Sequence, residues 1–175
     1  MSDGDSVTHR PGSYSMSSSR DLLIRRVRIL LWVFIFGLFI SGATAIPLKS
    51  ELNVVTQIIE ANAGLKESGL YHWLARVQDG LVTTYAKYPF MAYGTDWLAF
   101  GHFMIAVAFI GPLRDPVRNV WVIEFGMIAC ILVIPFALIM GQIRGIPFGW
   151  RLIDCSFGLF GIIPLWYCCR LLKKL

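Results

Sequence analysis

A chain of 175 residues has the length of one ordinary domain, yet 56% of it is hydrophobic and only 15% is charged; soluble domains run at roughly 45–50% and 25%. A water-soluble core of this size cannot hide that much apolar surface, so lipid has to cover part of it. The formal net charge of +5 comes from basic residues that flank apolar runs, which sets nucleic acid aside as a partner and points to anionic headgroups.

Residues 1–19 are Ser-rich, polar and aperiodic and read as a disordered cytoplasmic tail, leaving residues 20–175 as a single membrane domain. Arg20, Arg25, Arg26 and Arg28 then precede the first of four apolar runs, at about 28–46, 95–112, 119–141 and 149–169. Each approaches the roughly 20 residues needed to cross a hydrocarbon core. Trp32, Trp97, Trp121, Trp150 and Trp166 each stand near an end of one run, the distribution of an interfacial aromatic belt. The first run closes on Ala43-Thr44-Ala45, a small-residue pattern resembling a signal-peptidase site. The long polar region before it favours an uncleaved anchor.

Residues 48–93 form more than a linker. Leu52, Val55 and Ile59 recur at helical spacing after Ser50, an expected N-cap, with Gly64 as the expected stop. A second helix places Leu70, Trp73, Leu74, Val77, Leu81, Tyr85 and Tyr88 on one face and His72, Arg76, Asp79 and Thr83 on the other, and ends at Pro89. The expected fold is therefore an all-α integral membrane protein: a four-transmembrane-helix bundle with an outer-side amphipathic helical hairpin between spans 1 and 2. Charges in this segment balance, whereas Arg114, Arg118, Arg170, Lys173 and Lys174 join the first four arginines on the other side. The expected location is the cell inner membrane, multi-pass, with both termini cytoplasmic.

The second run opens with "TDWLAFGHF", placing Asp96 at the outer surface and His102 roughly ten ångströms deeper. Thr95, Ala99, His102 and Ala106 share a narrow small-residue stripe suited to close helix contact. Asp96 lies off that stripe and, as a first-turn acid, suits the helix N-terminus. The turn "GPLRDPVRN" reads as Asp115 capping a helix with Pro116 at its first position, with Arg114 and Arg118 facing headgroups on the inner side.

In the third run Glu124 lies below the inner surface, free to snorkel or to pair with Arg118 or Arg114, and Gly126, Cys130, Ala137 and Gly141 make a small-residue face. The fourth run aligns Arg151, Asp154, Gly158 and Gly161 on one face. Asp154 and His102 lie at similar depth, so the expected polar cluster joins His102 to Asp154 with Arg151 behind it, and Asp96 and Arg144 form an outer polar mouth above. The four cysteines show no metal-ligand spacing and read as small apolar residues in helices.

No HExxH, GxSxG or phosphate-cradling glycine loop occurs, so nothing in the pattern marks an enzyme. The reading that requires least is a non-catalytic accessory, assembly or partner-binding subunit of a membrane complex, docked to a protein partner or to further copies of itself. One alternative is a redox protein holding haem b or a quinone at His102, with His72 or Met127 as the second haem ligand. Another is an oligomeric transporter of protons or an anion. In it Asp96, Arg144, Arg151 and Asp154 form the outer entrance and Glu124 the inner exit.

Overall fold

The computed structural model describes the backbone of residues 12–175 and the side chains of residues 19–175 other than residue 63. The tail reading of residues 1–11 lies outside the described residues; from Gly12 the backbone is already helical. Among the described residues the chain is all-helical: α1 Gly12–Ala45, α2 Leu48–Glu60, α3 Ala63–Lys66, α4 Gly69–Lys87, a 3-10 turn Pro89–Ala92, α5 Tyr93–Ala108, α6 Ile110–Arg114, α7 Val120–Ile143 and α8 Phe148–Leu172. Four stretches are long and apolar enough to cross a membrane: Ser19–Ala45, Pro89–Arg114, Val120–Ile143 and Phe148–Leu172. Large apolar side chains such as Phe36, Phe136, Phe157 and Phe160 project from them. Water would not tolerate apolar surface at that density, and the four helices fit a multi-pass membrane protein.

The turns follow from local chemistry. Pro47 ends α1, and the chain re-enters a helix at once, with the Glu51 amide donating to the Pro47 carbonyl at 3.0 Å. Ser50 is thus inside α2 and is not its cap, because proline at position 47 already sets the entry. Gly64 does not stop α2, which ends at Glu60; the glycine lies within α3. Ser68 caps α4, its hydroxyl accepting from the Tyr71 amide at 3.2 Å. Asp115 accepts from the Arg118 amide at 3.0 Å, capping a single turn that leads into α7 at Val120.

The second span breaks at Phe109, between α5 and α6. Pro112 lacks the N–H that the Ala108 carbonyl would receive, and its ring crowds that carbonyl. At the other end of α7, Gly145 adopts φ +69°. The Gly145 amide donates to Gln142 O at 3.2 Å and the Ile146 amide to Gly141 O at 2.8 Å, a Schellman closure, with Pro147 preventing continuation.

α1 packs on α5 along one side and on α8 along another, and α7 packs chiefly on α8. The spans therefore run α5–α1–α8–α7, and the second span also meets α7 at the end that carries Phe109 and α6. Close approaches occur at glycines. A Cβ on Gly42 of α1 would lie 2.9 Å from Phe103 Cε1 and 3.0 Å from the Ala99 carbonyl and His102 Cβ, so α5 presents its small-residue stripe to α1. A Cβ on Gly158 of α8 would strike the Cys130 carbonyl of α7. One end closes around Val27, Leu31, Phe109, Val122, Ile123, Leu165, Cys168 and Leu171. This is the end that carries Arg20, Arg25, Arg26, Arg28, Arg114, Arg118, Arg170, Lys173 and Lys174, and we call it the basic end. There the Cys168 thiol donates to the Val27 carbonyl at 3.7 Å, and in the other half of the span Cys155 donates to Ile134 O at 3.7 Å. All four cysteines are free, and these two thiols fasten helix to helix.

At the opposite end α2 and α4 pack together through Leu52, Ile59 and Leu74, and Trp150 at the start of α8 packs against this cluster with Tyr71, Val77 and Leu81. Val55, expected on the buried face, is exposed; Thr56 is buried there instead. The Thr56 hydroxyl lies 2.7 Å from Gln78 Oε1 and 2.8 Å from the Leu52 carbonyl, and Gln78 Nε2 donates to Asn53 Oδ1 at 3.0 Å. A buried hydroxyl is tolerated because it is bonded.

Tyr71 on α4 donates its phenol to Glu60 Oε1 of α2 at 2.8 Å. That hydrogen bond to the carboxylate, with partial burial and the Glu60 charge, holds the Tyr71 pKa above its usual value. A raised folded-state pKa means the tie is fully present below the ordinary tyrosine range and is lost as pH rises through the higher value. Ultraviolet titration is expected to show a tyrosine ionising above the ordinary range that is lost in Tyr71→Phe; loss of a tyrosine from the ordinary range instead would show that the bond does not form.

Candidate functional site

The residues singled out in the spans do not converge. His102 is half-buried on α5 and its Nδ1 lies 2.8 Å from the Leu98 carbonyl of the same helix, so the imidazole satisfies itself locally. Asp154 is half-buried on α8 and makes no hydrogen bond or ion pair among the described residues. The two are not joined: α5 and α8 each pack on α1 and make no comparable contact with each other. Similar depth in neighbouring spans says nothing about rotation about each axis or about which helix stands between.

Arg151 does not stand behind Asp154. Its stem lies across Gly141, where an added Cβ would sit 2.6 Å from both Cγ and Cδ, and its Nε donates to the Ile146 carbonyl at 2.8 Å. The guanidinium also lies 5.7 Å from the Phe148 ring centre. Because Gly141 has no side chain to pack on the turn, the arginine stem takes that place and fastens the α7–α8 connection. Arg144, the last residue of that turn before Gly145, is exposed.

Asp96 is exposed in the first turn of α5, where it borders an open recess of about 250 Å³ with Tyr93, Trp97 and Phe100. These rings stack edge to face along the helix, Tyr93 on Trp97 at 5.8 Å and Trp97 on Phe100 at 5.5 Å. Trp150, read from the sequence as an end-of-span tryptophan, packs against the α2–α4 core.

The haem ligands that the sequence offered are not brought together. Beside His102 the α1–α5 contact is close, with a Cβ on Gly42 lying 3.0 Å from His102 Cβ and the Phe39 and Phe103 rings 5.2 Å apart. His72 is exposed on α4, in the hairpin, and Met127 on α7 is engaged with Cys169 Sγ at 3.7 Å.

At the basic end the structure does gather charge. Arg114 and Arg118, together with Arg20 and Arg28 of α1, line an open cleft of about 410 Å³ with Ile24, Asp115, Pro116 and Val117. Arg28 anchors the arrangement, donating from Nε to Leu113 O and from its terminal nitrogen to Arg114 O, both at 3.2 Å. These carbonyls end α6, so a cation meets the negative end of a helix. Glu124 is exposed on α7 and pairs with neither Arg114 nor Arg118.

Sequence reasoning treated Arg20 and Arg28 only as flanking charge. The signal that could have separated them from Arg25 and Arg26 was their spacing with Ile24, at i, i+4 and i+8, which puts them on one helix face. No protein-family model, curated protein or solved structure matches the chain.

Proposed function

We propose that this chain is a non-catalytic subunit of an inner-membrane complex, with both termini cytoplasmic and the α2–α4 hairpin on the outer side. It acts by docking to a protein partner or to further copies of itself. The observation that carries the reading is Asp154, a carboxylate within an apolar helix whose side chain has no partner among the described residues. Such a group in a bilayer costs on the order of 2.5–3.5 kcal/mol near mid-membrane unless something meets it. The chain's own candidates are engaged elsewhere, Arg151 with the Ile146 carbonyl and His102 with the Leu98 carbonyl. A neighbouring helix bearing a donor or a cation supplies the missing partner. The orientation follows from the arginines and lysines of the basic end, against balanced charge in the hairpin and Arg144 alone in the α7–α8 turn.

The test is electrophoretic migration of gently solubilised native membranes. Asp154→Leu is expected to leave helicity and membrane insertion intact while the chain shifts from a larger species to its own mass. Asp154→Asn, which keeps hydrogen bonding, retains part of the larger species. A leucine variant that migrates with the wild type, or a wild type that runs alone, refutes the docking role.

A further inference from the structure

We infer that the arginine cleft at the basic end is a phosphate-binding site that holds the headgroup of an anionic phospholipid. The inference rests on the membrane reading above but not on the Asp154 contact. Four cations from two separate elements face one opening: Arg20 and Arg28 from α1, Arg114 from the end of α6, and Arg118 from the turn that follows. The single acid in the lining, Asp115, is committed to the Arg118 amide as a helix-turn cap. Arg28 uses two of its five N–H donors on the Leu113 and Arg114 carbonyls, leaving three. The guanidinium groups of Arg20, Arg114 and Arg118 make no hydrogen bond or ion pair among the described residues.

Unpaired guanidinium groups gathered on a rigid frame repel one another unless an anion stands between them, and their planar forks match phosphate oxygens in pairs. The cleft's other property separates a lipid from a free anion. Its lining is part apolar, with Ile24, Pro116 and Val117 beside the arginines, and Arg20, Ile24, Arg28 and Arg114 belong to stretches long and apolar enough to cross a membrane. A free phosphate would use only the arginines; a phospholipid uses the arginines for its headgroup and the apolar lining for the start of its acyl chains. Arg28 is the positioning residue, because its bonds to the α6 carbonyls set the width of the cleft. Arg114 and Arg118 are the binding residues, exposed and with side chains free of structural bonds.

The experiment is native mass spectrometry of the full chain released from phosphatidylcholine nanodiscs containing a minor share of phosphatidylglycerol. The wild type is expected to retain phosphatidylglycerol above its share, and each arginine removed to lower that enrichment about fivefold. The Arg114→Gln/Arg118→Gln double variant should thus approach the bulk ratio, while Arg144→Gln at the other end leaves the enrichment unchanged. Neither side chain removed in the double variant bonds within the fold, and circular dichroism of each variant confirms that helicity is kept. Absence of enrichment in the wild type, or equal enrichment in the double variant, overturns the site. Millimolar inorganic phosphate that abolishes the enrichment and is itself retained overturns the lipid source and assigns the cleft to a soluble phosphate. A chain that does not enter the nanodisc refutes the membrane reading, a different failure from loss of lipid selectivity.

Discussion

Gly158→Ala is expected to separate α8 from α7 and to cost more stability than any other single methyl group added to a span. In a bilayer, helices gain little by hiding apolar side chains from one another, so close packing and polar contacts hold them together. The α7–α8 contact is closest at Gly158, where a Cβ would strike the Cys130 carbonyl and lie 2.5 Å from Val133 Cγ1. The carbonyl belongs to a helical backbone and cannot rotate away, so the helices themselves must part. Overpacking that side chains can relieve costs about 1–3 kcal/mol; an obstruction by backbone belongs at or above the upper figure. Gly161→Ala is the graded comparison. Its Cβ would meet Cys130 Sγ at 2.9 Å and Phe34 Cε2 at 3.4 Å, side-chain atoms that can turn, and a smaller loss is expected. Gly149→Ala meets nothing within 4 Å and is expected to be neutral or slightly stabilising, since alanine is the better helix former. The readout is the labelling rate of Cys155, buried against Ile134 O, by a membrane-permeant maleimide during a thermal ramp. Equal midpoints for the Gly158 and Gly149 variants would mean that α7 and α8 are held by something other than this approach.

The contacts that involve small residues were legible in the sequence, and the contacts that depend on helix order were not. Thr95, Ala99, His102 and Ala106 form a stripe because a helix repeats every 3.6 residues, and Ala99 and Ala106 are buried as that stripe requires. Gly126, Cys130 and Gly141 on α7, and Gly158 and Gly161 on α8, are likewise at close contacts with neighbouring side chains or backbone. Periodicity fixes which residues share a face; it does not say what that face meets. His102 therefore turns towards α1 while Asp154 is left without a partner, although depth alone made the two a natural pair. Arg151 illustrates a second limit. Its attachment to the Ile146 carbonyl depends on Gly141 leaving room for an arginine stem in a turn closed by Gly145, a three-residue coincidence that no spacing rule states. At the basic end, charge counts predicted attraction to headgroups but could not separate Arg28, which ties α1 to α6, from Arg25 and Arg26, which are exposed.

Phe109 is the residue whose role the sequence concealed most fully, and Phe109→Ala carries the second large expected loss. In sequence it is one more phenylalanine in an apolar run, like Phe100, which is 47% exposed. In the structure it is fully buried at the break that Pro112 forces between α5 and α6. Its ring lies 4.7 Å from that of Phe34 on α1. It also fills the space over Gly126 of α7 beside Leu165 of α8, so that a Cβ there would lie 2.6 Å from Phe109 Cζ. One side chain thus touches three helices besides its own, at the end where the open row of spans closes. Truncation of a buried phenylalanine to alanine costs about 3–5 kcal/mol in soluble cores. The dispersion part of that cost survives transfer to a lipid environment, because the cavity left behind has no atoms to replace the ring. Phe109→Ala is therefore expected to lower the thermal midpoint in mild detergent and to expose Cys168, which is fully buried and bonded to the Val27 carbonyl. Phe100→Ala should do neither. Labelling of Cys168 that stays as slow in Phe109→Ala as in Phe100→Ala would show that the basic end holds closed without this ring. Faster labelling confined to Phe109→Ala identifies the break in the second span as the joint that lets a single aromatic side chain lock α1, α7 and α8 together.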